Sequence, residues 1–156
     1  FIPSSYITTH YTDLAKNSLD KEYLIRFAKD YIKLFSVLAI FLGTLLYFMS
    51  DFIISILFGE EYAEAANLFE ILILGMLGAF ILRIPFGNML ASVGKSNWNA
   101  ILALIILIFN GILNYYAIYA WGIVGAAIVT SALLWVSGIL SLVMFFVYLK
   151  SLVKLT

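Results

Sequence analysis

The residues from Trp98 to Leu149 read WNAILALIILIFNGILNYYAIYAWGIVGAAIVTSALLWVSGILSLVMFFVYL and contain no Asp, Glu, Lys or Arg. About 20 apolar residues, each rising 1.5 Å along a helix, cross a hydrocarbon layer about 30 Å thick. The stretch is therefore long enough for two membrane-spanning helices. Its short break at 120–122 leaves room only for a tight hairpin. We predict antiparallel transmembrane helices at 98–120 and 122–149.

Two further apolar runs of similar length come earlier in the chain, at 34–57 and 66–92. Hydrophobic residues make up 64% of the sequence and charged residues 12%, which is about half of the roughly 25% charged usage of soluble domains. A water-soluble domain of this length cannot bury so much apolar surface, and lipid supplies the apolar solvent that it needs. The prediction is an all-α integral membrane protein with four antiparallel transmembrane helices over 34–149.

The first 33 residues are polar and mixed in charge. Residues 1–3 read like the end of a preceding apolar helix, so we expect this chain to be the C-terminal part of a longer polypeptide. Asn17 or Ser18 can cap a following helix, because both side chains accept backbone N–H bonds. An apolar stripe then recurs at helical spacing, at Leu24, Phe27, Ala28 and Tyr31. The stripe predicts an amphipathic cytoplasmic helix at a membrane surface, and an ordinary solvated helix leading into the first span is an equal alternative.

The basic residues outside the spans all fall on one side of the predicted topology. They precede the first span, lie between spans two and three, or follow span four, at Lys16, Lys21, Arg26, Lys29, Lys33, Lys95, Lys150 and Lys154. The opposite side carries Glu60, Glu61 and Glu64 without any Lys or Arg. The positive-inside rule then places both termini, including the tail at 150–156, and the Lys95 turn in the cytoplasm.

Arg83 is the most informative single residue, because it lies inside the second predicted span. A central Arg costs about 2.5 to 3.5 kcal/mol on insertion scales, so we expect it to face water, protein or an anion rather than lipid. One interpretation is a cavity residue that binds an anionic substrate group. The alternative is a side chain that extends to the cytoplasmic headgroups, or an ion pair with a carboxylate elsewhere.

Pro85 follows two residues later and predicts a bend in the same span. Proline has no N–H, and its ring clashes with the carbonyl of the residue four positions earlier, which is Ile81. Bent helices suit transporters that change shape, although structural helices also bend at proline.

Four more polar residues in or near the apolar runs are candidates for binding. Asn110 and Asn114 are one turn apart in span three and could line a substrate cavity or hydrogen-bond to a neighbouring helix. Asp51 and Glu70 lie near the outer ends of spans one and two. Either carboxylate could couple transport to a proton or cation, and either could simply stay hydrated near the headgroups.

The sequence offers no set of residues for catalysis. His10 is the single histidine and cysteine is absent, so neither a metal cluster nor a catalytic dyad can be assembled from these types. No nucleophile elbow or phosphate-binding loop occurs. We expect no enzymatic activity, no metal and no cofactor. The net charge of zero gives no reason to expect nucleic-acid binding.

Several stretches, taken in order, resemble the polysaccharide flippase branch of the multidrug, oligosaccharidyl-lipid and polysaccharide exporter superfamily. Residues 58–65 (FGEEYAEA) are similar to its short outer loop, and 88–95 (NMLASVGK) to the helix end and turn that follow. Residues 110–115 (NGILNY) and 121–127 (WGIVGAA) resemble its next helix and hairpin. That hairpin usually carries Tyr or Phe at the position of Trp121.

The resemblance extends from about Pro3 to Lys150. It implies that 34–149 are the last four helices of a six-helix C-terminal lobe, which alternates with an N-terminal lobe of the same polypeptide around one cavity. The implied substrates are undecaprenyl-pyrophosphate-linked sugar units, moved across the bacterial plasma (inner) membrane, and Arg83 would meet the pyrophosphate. The implied partners are the bilayer, this lipid-linked oligosaccharide, the N-terminal lobe and other polysaccharide assembly proteins.

Other functions stay open on this sequence. Within the same superfamily, a drug/cation antiporter or a peptidoglycan-precursor flippase is possible, although a drug exporter would more naturally carry cavity carboxylates than a cavity arginine. From another class, the chain could be a non-transporting membrane anchor or assembly module. An anchor, however, has no need of a bent span that contains an arginine.

Overall fold

The computed structural model describes residues 2–152, and within them the backbone is helix or turn without any β-strand. A 3₁₀ turn at Glu60–Tyr62 follows the fourth helix, and a π-helical turn at Ala79–Arg83 joins the fifth helix to the sixth. The α-helices, in chain order, are α1 Ile2–Thr9, α2 Tyr11–Lys16, α3 Lys21–Phe48, α4 Ser50–Phe58, α5 Ala65–Gly78, α6 Ile84–Ser92 and α7 Ser96–Leu152.

Three helical segments are long and apolar enough to cross a membrane. They are Lys21–Phe48, the continuous segment Ala65–Ser92 that joins α5 to α6, and Ser96–Leu152. This result confirms the predicted all-α class and the presence of helices that could span a bilayer. The segment at Ala65–Ser92 agrees with the predicted run at 66–92 within one residue.

The third segment, α7, reverses direction at Gly122. This residue has φ 62° and ψ −148°, values that lie outside the helical region and are accessible chiefly to glycine. A Cβ atom on Gly125 would collide with the backbone carbonyl of Ala117, although eight residues of straight helix would separate the two by about 12 Å. We therefore describe α7 as a first arm, 96–121, and a second arm, 123–152, that lie side by side.

The start of α3 differs from the predicted boundary. The prediction separated an amphipathic segment ending at residue 33 from a span at 34–57, whereas the helix runs unbroken from Lys21 to Phe48. Polarity changes near residue 33, but no proline or glycine stands there to end a helix. Asp20, rather than Asn17 or Ser18, caps the helix by accepting a 2.9 Å bond from the Tyr23 N–H.

The predicted span at 34–57 is interrupted at Met49, near its C-terminal end. The α-helical conformation is lost at Met49, with φ −100° and ψ 8°, and α4 begins at Ser50.

The apolar stripe of the N-terminal half of α3 is also placed differently from the prediction. Leu24, Ala28 and Tyr31 are buried inside the protein, so this stripe packs on other helices instead of lying on a membrane surface.

The segment before α3 packs against the bundle. Ile7 of α1 and Leu14 of α2 are almost completely buried, and the Tyr11 hydroxyl donates a 3.2 Å bond to the Ala91 carbonyl at the end of α6. Of the residues predicted to end a preceding helix, Phe1 lies outside the described part of the chain. The predicted cytoplasmic tail is described only as far as residue 152.

A single core cluster forms at one end of the bundle, which we call the Lys95 end because α6 and α7 meet there at the Lys95 turn. Phe86 and Phe145 pack together within it, with ring centroids 5.4 Å apart. The buried members are Ile7, Leu14, Leu24, Ala28, Tyr31, Phe35, Phe86, Met89, Leu90, Val93, Phe145, Tyr148, Leu149 and Leu152.

The Lys95 end also brings together three regions that are distant in sequence. The Tyr148 hydroxyl donates a 2.7 Å bond to the Ser18 carbonyl, and the Lys95 ammonium lies 5.9 Å from the centre of the Tyr148 ring. The N-terminal segment, the α6–α7 turn and the end of α7 therefore share one end of the molecule. The alternating topology and the distribution of Lys and Arg residues predicted that these three regions lie on the same side.

Small residues let α5 and the second arm of α7 approach closely. The Ser131 hydroxyl donates a 2.6 Å bond to the Ile71 carbonyl, and the Trp135 indole N–H donates a 2.9 Å bond to the Leu74 carbonyl. A Cβ atom on Gly75 would lie 2.5 Å from the Ser131 Cα, and one on Gly78 would lie 2.7 Å from the Trp135 ring. Close backbone contact through small residues is typical of helix pairs in membranes.

We predict opposite effects for alanine at two helical glycines. Gly75→Ala should destabilise the protein by about 1–3 kcal/mol, because its methyl group would meet the Ser131 backbone, which cannot rotate away. Gly111→Ala has nothing within 4 Å of the new methyl group, so the gain in helix propensity of about 1 kcal/mol should make it neutral or stabilising. Thermal unfolding in mild detergent measures both, and equal loss in the two variants would contradict this packing.

Candidate functional site

The segment Ala65–Ser92 departs from α-helical geometry immediately before Pro85. The π-helical turn covers Ala79–Arg83, and the Ile84 N–H bonds to the Ala79 carbonyl instead of the Phe80 carbonyl that an α-helix would use. Pro85 has no N–H to offer in its place. The Phe80 carbonyl is thereby released from the helix, and π turns of this kind often occur at functional positions. A bend of the helix axis at Pro85 stays a prediction.

Tyr31 supplies the partner that the released carbonyl needs. Its side chain is completely buried, and its hydroxyl donates a 3.3 Å bond from α3 to the Phe80 carbonyl. The Tyr31 ring stacks on Phe35, with centroids 4.3 Å apart. The irregular turn is thus tied to α3 by one hydrogen bond and the packing of this aromatic pair.

Arg83 occupies the last position of the π turn and is the centre of a polar cluster between helices. Its Nη1 atom donates a 2.5 Å bond to Oδ1 of Asn99 in the first arm of α7 and a 3.2 Å bond to the Ser141 hydroxyl in the second arm. A Cβ atom on Gly87 would lie 2.6 Å from Nη1. Glycine at this position therefore leaves the space that the guanidinium occupies.

The guanidinium lies closer to the Lys95 end than its own backbone does. Gly87 is one helical turn beyond Arg83 towards that end, and Asn99 is in the first turn of α7. Helical side chains usually point towards the N-terminus of their helix. The Arg83 side chain instead extends towards the C-terminus of its helix, as arginine side chains do when they reach a polar layer. Both bonds use Nη1 and both partners are neutral. Within residues 2–152, Nε and Nη2 have no described acceptor, so these donors can bind another group.

Asn99 and Ser141 were not identified from the sequence as site residues. Asn99 follows Trp98 at a predicted span boundary, where polar residues are ordinary, and Ser141 is one of several serines in the last span. The sequence feature that could have pointed to them is the charge of Arg83 within an apolar span. An arginine inside a span needs polar partners on the helices beside it, and these two residues are the polar side chains that meet it.

Asn110 and Asn114 do not share a pocket with Arg83. Asn110 is eleven residues beyond Asn99 along the first arm, which corresponds to about 16 Å. The Asn114 amide donates a 2.9 Å bond to the Asn110 side-chain oxygen. The buried side-chain oxygen of Asn114 has no hydrogen-bond partner in the described part of the chain. The pair is a second polar position, separate from the arginine.

Of the two carboxylates proposed for ion coupling, Asp51 lies in the first turn of α4 and Glu70 lies in α5. The Ser50 hydroxyl donates a 2.7 Å bond to Oε1 of Glu70, which joins α4 to α5. Asp51 is the next residue and is exposed. Ion coupling through either residue stays a prediction. Within residues 2–152, no group of three or more His, Cys, Asp or Glu side chains is arranged to hold a metal ion.

Fold and site together define an all-helical protein with three segments able to cross a membrane and an arginine-centred polar cluster between them. A search with protein-family models, curated proteins and solved structures finds no match to this chain.

We predict that Tyr31→Phe destabilises the protein by about 1 kcal/mol. The change leaves the ring packing intact and removes the only hydroxyl that bonds to the Phe80 carbonyl among the described contacts. Tyr116→Phe is the control, because Tyr116 is exposed on the first arm of α7. Thermal unfolding in detergent and hydrogen exchange of residues 79–86 measure the effect. Identical protection in both variants would refute the role of Tyr31.

Proposed function

We propose that this chain is part of a membrane transporter that moves lipid-linked oligosaccharide, and that Arg83 contacts the anionic phosphate group of that substrate. The observation that carries the proposal is the arginine cluster. A permanently charged side chain stands inside an apolar helical segment, bonded only to the neutral Asn99 and Ser141 among its described contacts. A phosphate oxygen pair matches the planar donor edge that stays available on the guanidinium.

The π turn is the movable part of this proposed site. Arg83 belongs to that turn, and the turn is held to α3 through the Tyr31 hydroxyl. A shift of this hydrogen bond would move the guanidinium relative to Asn99 and Ser141. Such a local change could couple binding of the head group to alternation between two openings of a transporter.

We further propose that the polypeptide crosses the membrane four times, with the Lys95 end in the cytoplasm. The support is the reversal at Gly122, which divides α7 into two arms of sufficient length, together with the Lys and Arg residues that the fold collects at the Lys95 end. Four helices would then form part of a six-helix lobe in a bacterial plasma membrane protein. A companion lobe of the same polypeptide would complete the cavity.

We predict that single cysteines at Ser96 and Glu61 lie on opposite sides of the membrane. This chain contributes no cysteine, so in the full-length protein with any other cysteines replaced by serine, each introduced thiol is the target for an impermeant maleimide added outside intact cells. Glu61 should react and Ser96 should react only after lysis. Reaction at Ser96 together with protection at Glu61 would overturn the orientation.

We predict that Arg83→Ala abolishes flipping by the full-length protein while its abundance in the membrane stays normal. Arg83→Lys keeps the charge but loses the bidentate geometry, so partial activity is expected. Proteoliposomes containing a fluorescent lipid-linked oligosaccharide report the rate at which the sugar becomes accessible to an impermeant quencher.

Arg26→Ala is the matched control, because it removes a guanidinium from an exposed position on α3. It should flip at the normal rate. If Arg83→Ala flips normally, the residue is a structural anchor and the proposed site is wrong. If both variants are inactive, loss of positive charge in general, rather than loss of this site, explains the result, and the assignment to Arg83 fails.

A further inference from the structure

An apolar groove runs between the two arms of α7 and ends at a lysine. The groove measures about 360 Å³ and is lined by Trp98, Ile101, Leu102, Ile105, Leu140 and Met144. Ile101 and Ile105 expose 59% and 44% of their surface, so the groove opens outwards from the bundle. Every lining residue is hydrophobic.

Lys95 is held over the end of this groove. Its ammonium lies 5.5 Å from the centre of the Trp98 ring and 5.9 Å from that of the Tyr148 ring. Trp98 is the first residue of one groove wall, and Tyr148 follows Met144 of the other wall by one helical turn. The cation therefore lies beside Trp98 at one end of the groove, while its N–H donors remain able to bind an anion.

We propose that the Lys95 end of this groove binds the headgroup of an anionic phospholipid, with one acyl chain lying along the groove. Charge complementarity is the first reason, because the cation is fixed at one end of a wholly apolar channel. Basic positions between helices at a cytoplasmic membrane face are known to bind anionic lipid headgroups. The Arg83 cluster adds positive charge close by, since Asn99, which accepts its bond, is the neighbour of Trp98.

The groove covers only the beginning of the first arm. From Trp98 to Ile105 the lining extends over seven residues, or about 10 Å. The exposed apolar surface of the first arm continues past the groove, at Leu107, Ile108 and Phe109, so the cation beside Trp98 and not the groove length favours a lipid as occupant. An acyl chain beside its own headgroup fits a short apolar channel with a cation at one end. This inference does not depend on the transport proposal.

The test measures stabilisation by lipid, because a ligand that binds the folded state raises its unfolding temperature. The full chain, purified in mild detergent, is titrated with phosphatidylglycerol or with phosphatidylcholine that carries the same acyl chains. Phosphatidylglycerol should raise Tm by about 2–4 °C more than phosphatidylcholine. Lys95→Gln should remove this difference, whereas Lys29→Gln, at an exposed position on α3, should keep it.

The acyl-chain position is tested by a second pair of variants. Ile105→Trp fills the groove and should lower the number of phosphatidylglycerol molecules that stay bound in native mass spectrometry. Ile108→Trp adds the same ring at an exposed position that does not line the groove, and it should bind lipid normally. This pair remains informative even if Lys95→Gln fails to fold.

Several results would overturn the proposal. Equal stabilisation of the unaltered protein by the two lipids would show that no anionic headgroup is recognised. Equal losses in Lys95→Gln and Lys29→Gln, or in both tryptophan variants, would show that binding is not at this groove. A comparable rise of Tm with inorganic phosphate alone would identify an ion site instead of a phospholipid site.

Discussion

A backbone carbonyl that leaves its helix inside an apolar layer must find another donor within the protein, because no water is present to supply one. This constraint explains why the described chain consists of helices and short turns. It also governs the irregular turn in the middle of the segment Ala65–Ser92. The π turn before Pro85 releases the Phe80 carbonyl, and the buried Tyr31 hydroxyl bonds to it from α3. The geometry of α3 and the position of Arg83 are thereby linked through one interaction.

The second consequence concerns how the helices associate. In lipid the hydrophobic effect gives no preference for helix contact, so close packing of small residues and interhelical hydrogen bonds take its place. Gly75 against Ser131 and Gly78 against Trp135 follow this rule, and the serine and the indole each bond to a carbonyl of α5. At the Lys95 end, by contrast, large aromatic and aliphatic residues form an ordinary core. The helices are therefore held together in two ways. Small residues and hydrogen bonds join α5 to the second arm of α7, and large apolar side chains pack at the Lys95 end.

The polar cluster around Arg83 lies between these two zones. Its guanidinium extends towards the Lys95 end and bonds to both arms of α7, so it contributes to helix association. The same side chain is the one that we propose contacts the substrate phosphate. The same end carries Lys95 above two aromatic rings and an apolar groove. Positive charge and apolar surface meet there. A phosphate-bearing lipid matches both, with its anionic headgroup for the charge and its acyl chain for the apolar surface.

The helical class and the long apolar segments could be predicted from the sequence because they depend on composition, the absence of charge over 98–149 and the short range of helix hydrogen bonds. The reversal at 120–122 was predictable for the same reason, since glycine permits the backbone angles that a tight turn requires. The helix α3 continues through the boundary that was predicted near residue 33, because a change in polarity does not end a helix. Asn99 and Ser141 as partners of Arg83, Tyr31 as partner of Phe80, and the separation of Asn110 from Arg83 depend on which helix faces come together. Those contacts join residues up to 58 positions apart, and only packing in three dimensions brings such residues within hydrogen-bonding distance.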